Sequence, residues 1–300
     1  MNTLSDLSRR NFMVTGSALL TAYLAKGQGA QAPLTVGEVV DRIRKQVGVP
    51  WRTQTVDQIV AGDQSTPVHG IATTMMATLD VVERSAAEGK NMIVTHETPY
   101  YLHQDHTEDI KDDPTLQYKL DFIRKHNMAI FHFHDHWHAR KPDGIATGMM
   151  HQLGWEKNVD PDNPKQFTFS GEPLGHFCRE IQSRLKDRTM RVVGDPRMPV
   201  KRVLTSWGFV SRMPGISLFA RPDVDVLIAG ETREWELVEY VRDSITAGNQ
   251  KALILLGHVL SEQGGMIYCA DWLKSFVTEV PIEFIPTKEP FWSPTHPVEI

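Results

Sequence analysis

Short apolar runs alternate with amphipathic stretches along most of this chain, and that alternation constrains the fold more than any other feature. Each apolar run is a buried strand, and each amphipathic stretch is a helix that covers a sheet face, so an α/β architecture is expected rather than a sandwich or a bundle. The pattern predicts helices over 34–47, 76–88, 115–126, 174–185, 235–244 and 261–276. It predicts strands over 68–73, 92–95, 128–133, 191–193, 202–207, 224–229, 252–256 and 282–285. The stretch 157–173 holds three prolines and is the expected linker between two lobes, about 33–156 and 174–300. Three hundred residues, 41% hydrophobic and 23% charged, suffice for a large core.

The first 32 residues read as an address. Ser8-Arg9-Arg10-Asn11-Phe12-Met13 precedes a mostly apolar run over 14–24, and Ala30-Gln31-Ala32 has the small-x-small form of a cleavage site. This order resembles a twin-arginine signal peptide, which implies a periplasmic or secreted protein with no membrane anchor after cleavage. Proteins exported this way are already folded, so a metal would be chosen before export. The net charge of −5 becomes more negative once Arg9, Arg10 and Lys26 are removed with Asp6, and a nucleic-acid partner is not expected.

Two cysteines, Cys178 and Cys269, exclude a thiolate-rich cluster, so any metal must be held by nitrogen and oxygen. Spacing does not decide whether the two form a bridge. Thirteen histidines offer the nitrogen, more than half of them between His96 and His138. Three places follow predicted strands, where α/β sheets present their ligand-binding ends. The first is Thr95-His96-Glu97-Thr98, where a turn would let an imidazole and a carboxylate face one cleft; a plain surface loop would read the same. In the second, His132, His134, His136 and His138 alternate with Phe131, Phe133 and Trp137. A continuing strand would put all four histidines on one face, whereas a strand ending near His134 would let a turn join His134 to His138. In the third, Gly257-His258 precedes Glu262, which shares one spot with His258 at i, i+4 if the helix begins between them. Ser261 as an N-cap is the rival reading.

These segments resemble the NIF-three-like (NGG-interacting factor three-like) family of dinuclear-metal hexamers, also called GTP cyclohydrolase type 2 homologues. The resemblance rests on Gly62-Asp63, Val68-His69-Gly70-Ile71-Ala72-Thr73-Thr74, Gly89-Lys90-Asn91, Val94-Thr95-His96, Val193-Gly194-Asp195, Gly230-Glu231, Gly257-His258 and Glu262. It implies two α/β lobes with mixed β-sheets flanked by helices, a metal site between them, and a homo-hexamer. It also implies two divalent ions per chain held by His96, His258 and Glu262. Glu97 stands where the family has a second histidine, and His138 where it has an aspartate. The two look exchanged, with Asp135 the rival ligand should the alignment shift. Three imidazoles and two carboxylates suit zinc, iron, manganese or cobalt. The expected function is hydrolysis of a phosphoester or cyclic amide in an unknown small-molecule substrate. His134 or Asp135 would act as general base or orient the site, and His103 and Asp105 would lie behind it. A metal-binding protein without turnover is the alternative.

If the leading segment is a twin-arginine signal, replacing Arg9 and Arg10 by lysine leaves the precursor in the cytoplasm. Fractionation reads the outcome, and unchanged export refutes the assignment.

Overall fold

The chain, taken as a computed structural model, is described here over residues 33–294. The signal segment over 1–32 lies outside the described residues. No described helix is long and apolar enough to cross a membrane.

The first helix, α1 (Val36–Gln46), starts where the sequence can cap it. The Thr35 hydroxyl accepts from the Glu38 amide, and the Glu38 carboxylate accepts from the Thr35 amide. Its Val36, Val39, Val40 and Ile43 form one buried stripe. Then follow β1 (Ile59–Ala61), β2 (Ile71–Met76), α2 (Leu79–Ala87), β3 (Met92–Glu97), α3 (Pro114–Lys125) and β4 (Ala129–His132). A short helix, α4 (Asp135–Ala139), and α5 (Gly144–Leu153) complete the first half. The second half runs β5 (Gln166–Pro173), α6 (Leu174–Leu185), β6 (Arg191–Val193), β7 (Pro199–Phe209), α7 (Arg212–Phe219) and β8 (Val226–Glu231). A π-helical turn (Glu234–Val238) leads into α8 (Glu239–Thr246), followed by β9 (Ala252–Leu255), α9 (His258–Lys274) and β10 (Ile282–Phe284).

Two five-stranded mixed sheets result, in the orders β1-β4-β3-β2-β10 and β5-β7-β8-β9-β6. In the first, only β1 runs antiparallel. In the second, β7, β8 and β9 are parallel between the antiparallel edges β5 and β6. The segment expected to be a linker, 157–173, instead contains β5, an edge strand of the second sheet. Its alternating exposed residues hid the strand, because an edge strand buries one face only. The last strand, β10, returns to pair with β2, so the C-terminal part of the chain is shared between the two sheets. Cys178 and Cys269 are both free and buried.

Helix α9 touches β2 and β10 of the first sheet as well as β7 and β8 of the second. It is buried on every side at its N-terminal half, which explains why its residues carry no amphipathic stripe. Small residues permit this. A Cβ placed on Gly148 of α5 would lie 2.2 Å from the Gly264 carbonyl oxygen, and one on Gly265 would lie 2.6 Å from the Ile145 Cα. The two helices therefore meet backbone to backbone. Gly148→Ala is expected to lower unfolding free energy by about 1–3 kcal/mol through overpacking, read from the urea midpoint at unchanged slope.

Candidate metal centre

Parallel strands end on the same side, and these endings assemble the site. Thr95 of β3 is in register with His132 of β4, so His96-Glu97 and Phe133-His134 leave adjacent strands together. From the other sheet, β8 ends at Glu231 and β9 leads through Gly257 into His258. Gly257 has φ of +80°, a conformation that glycine adopts without strain. It allows α9 to begin at His258, three residues earlier than the pattern predicts. Ser261 is not its N-cap; the hydroxyl donates to the His258 carbonyl and accepts from the Gly208 amide. His258 and Glu262 thus lie one helical turn apart on the same side of α9, with His258 Nε2 3.1 Å from Glu262 Oε2.

The alternating histidines do not share a face, because β4 stops at His132. Asp57, 2% exposed, accepts from the backbone amides of His134, Asp135 and His136 and folds them into the start of α4. That turn brings His134 and His138 onto one side, their rings 4.8 Å apart between centroids. His136 turns away, bonded through Nδ1 to Asp57 at 2.6 Å and stacked on Trp51 at 3.7 Å. His132 is also held outside the group, by Asp105 at 2.6 Å. No local motif marked Asp57; a buried aspartate far along the chain from its partners has no sequence signature.

His96, Glu97, His138, His258 and Glu262 do come together, and His134 joins them. The His96 ring centroid lies 4.6 Å from that of His134 and 4.9 Å from that of His138. Glu97 Oε1 is 3.5 Å from His258 Nε2 and 3.8 Å from His134 Nε2. Glu262 reaches both sides, with Oε1 3.8 Å from His138 Nε2 and Oε2 3.8 Å from His96 Nε2. Sets of ligand atoms close enough to hold an ion include His96 with His134 and His138, Glu97 with His103 and His134, and His96 with Glu97 and Glu262. A further cluster, Glu172, His176 and Glu180, is more solvated, with the His176 side chain 54% exposed.

Four imidazoles turn Nε2 inward while Nδ1 is engaged behind. His134 Nδ1 contacts Asp135 at 3.0 Å, His138 contacts Asp143 at 3.1 Å, His258 contacts Glu231 at 2.9 Å, and His96 lies 3.4 Å from the Phe133 carbonyl. Such backing fixes ring orientation and tautomer, as metal-binding histidines require. Asp135 is itself held by the Thr55 hydroxyl and the Val56 amide, so the structure places it behind His134. Asp143 and Glu231 have the same relation to His138 and His258; Asp143 was not singled out from sequence because its partner lies across a turn. His103 reaches Glu97 at 3.4 Å, and Asp105 bonds to Thr98 and His132.

The electrostatics fit a cation. His96 Nε2 and Glu262 Oε2 are buried without a hydrogen-bond partner, an arrangement costly for polar atoms unless an ion satisfies them. Burial, with His134 and His138 nearby, holds the His96 pKa well below the ordinary imidazole range, leaving a neutral lone pair. Burial opposes ionisation of Glu97, but hydrogen bonds from His103 and His258 override it and keep the carboxylate charged. Burial would likewise lower His258, yet Glu231, Glu262 and Glu97 push it up to about 12.

These features define an α/β protein of two mixed sheets with a histidine- and carboxylate-lined candidate metal centre. The chain belongs to the Duf34/NIF3 (NGG1p interacting factor 3) family, whose model matches residues 34–290. Solved structures share its fold. A Bacillus cereus protein related to NIF3 superposes with a TM-score of 0.68 at 13% identity, covering 87% of this chain and 99% of that one. Staphylococcus aureus hypothetical protein SA1388 gives 0.67 at 15%, with the same coverage. Reduced HcgD from Methanocaldococcus jannaschii gives 0.58 at 15%, covering 83% and 97%. No curated protein matches the sequence.

Metal ligation needs neutral imidazoles, whereas His258 and His138 have raised pKa values before an ion enters. Metal uptake at neutral pH is therefore expected to release protons and to weaken as pH falls. Calorimetry in buffers of different ionisation enthalpy checks the sign; proton uptake on binding would contradict it.

Proposed function

We propose that this protein is a metal-dependent hydrolase that works with two divalent ions, of zinc, iron, manganese or cobalt, per chain. The observation that carries the reading is the inward Nε2 of four backed imidazoles around two buried carboxylates, with His96 Nε2 buried and without a hydrogen-bond partner. His96, His134 and His138 would hold one ion and Glu97 with His258 the other, with Glu262 between them. This assigns His134 to the metal and Asp135 to its orientation. The proposed exchange of Glu97 and His138 keeps both residues as ligands.

A pair of divalent ions supplies Lewis acidity and a water acidified toward neutrality. The chain's own residues position and move protons around it. His103 lines the cavity with its side chain 40% exposed, and its hydrogen bond to Glu97 raises its pKa against the effect of burial. It is the proposed proton carrier to the leaving group. Export by the twin-arginine route and assembly into a homo-hexamer belong to the same proposal; the first is supported by Arg9-Arg10 and the second by family membership.

Elemental analysis of protein purified without a metal-affinity tag should give two ions per chain, and Glu262→Gln should lose at least one. His103→Ala should keep both and lower kcat by about 100-fold on whichever phosphoester of a broad panel is turned over. Two tightly held ions without turnover on that panel would instead make this a non-catalytic metal protein.

A further inference from the structure

The cavity of about 790 Å³ over the metal centre has a wall that the centre itself does not use. Arg52, Lys141 and Lys165 line it. Among the described residues none of the three makes a hydrogen bond or ion pair through its charged group, although the carboxylates of Glu97, Asp135, Asp143 and Glu262 line the same cavity. Each carboxylate faces a histidine instead. Solvated lysines without partners are ordinary on a surface. These three are fixed around one opening by their backbones. The Arg52 amide donates to His136 Nε2 at 2.9 Å, behind the turn that presents His134 and His138. Lys141 lies just beyond Arg140, the C-cap of α4. The Lys165 carbonyl accepts from the Thr205 amide at 2.8 Å, tying it to β7 two residues from Trp207. Trp207 and Phe209, the latter 48% exposed, add aromatic surface to the lining.

Formal charge decides what such a cavity attracts. Two divalent ions added to four carboxylates and three cations make it strongly positive in a protein whose net charge is −5. A neutral cyclic amide gains nothing from unpaired cations, whereas a phosphoester gains from each.

We propose that Arg52, Lys141 and Lys165 form an anion subsite beside the metal centre, and that the substrate is a phosphate ester whose apolar group lies against Phe209. This rests on the two-metal reading above.

Calorimetric titration of the manganese-loaded mature protein with inorganic phosphate and with phenyl phosphate tests it, with metal content measured on the same samples. The Lys141→Met, Lys165→Met double variant should keep its metal and bind both ligands about tenfold more weakly, and Arg52→Met should weaken both in the same direction. Wild-type affinity should fall with added salt more steeply than that of the double variant. Phe209→Ala should weaken phenyl phosphate and leave inorganic phosphate unchanged. Wild-type protein that holds no metal defeats the two-metal reading. Metal-loaded wild type that takes up no phosphate, or a metal-loaded double variant that binds it equally well, overturns the subsite alone.

Discussion

A carboxylate buried between two sheets is the constraint on which the rest of this structure depends. Glu262 is 3% exposed, sits one turn into α9, and has an oxygen without a hydrogen-bond partner. An isolated buried charge is not tolerated, so the fold must bring compensating groups to it. It does so from three directions: His96 from β3, His138 from α4 and His258 from the preceding turn of α9 itself. Gly208 of β7 leaves room for this carboxylate, since a Cβ there would lie 2.6 Å from Glu262 Oε1.

The second requirement is aim. Imidazoles rotate freely unless the nitrogen away from the site is held, and here Asp135, Asp143 and Glu231 do the holding. Asp57 acts one step further back. By gathering three successive backbone amides it converts the end of β4 into a helical turn, and so sorts four alternating histidines into two that face the site and two that do not. The outward pair is held separately, His132 through Nδ1 by Asp105 and His136 by Asp57 and the Arg52 amide, which turns both rings away from the group.

Charge distribution then links the site to its surroundings. Carboxylates that would otherwise pair with Arg52, Lys141 and Lys165 are turned toward histidines, so positive charge at the opening stays available. The same division of labour underlies the anion subsite proposed for this mildly acidic chain.

The sequence by itself determined the α/β alternation, with the helix at 174–185 and the strand at 191–193 to the residue, and its likeness to a known family pointed to His96, Glu97, His138, His258 and Glu262, which the structure brings together. Apolar periodicity and strand-end motifs are local, and local patterns are legible without coordinates. Tertiary structure decided what depends on distant partners. The edge strand β5 was hidden because its pattern is mostly solvated, and α9 began at His258 because Gly257 could take a positive φ while both sheets buried the first turn. The inclusion of His134 and the exclusion of His132 and His136 were fixed by Asp57 and Asp105, whose hydrogen bonds span tens of residues and leave no periodic trace. Which imidazole nitrogen faces inward was likewise settled only in three dimensions, because that choice belongs to the carboxylate behind each ring.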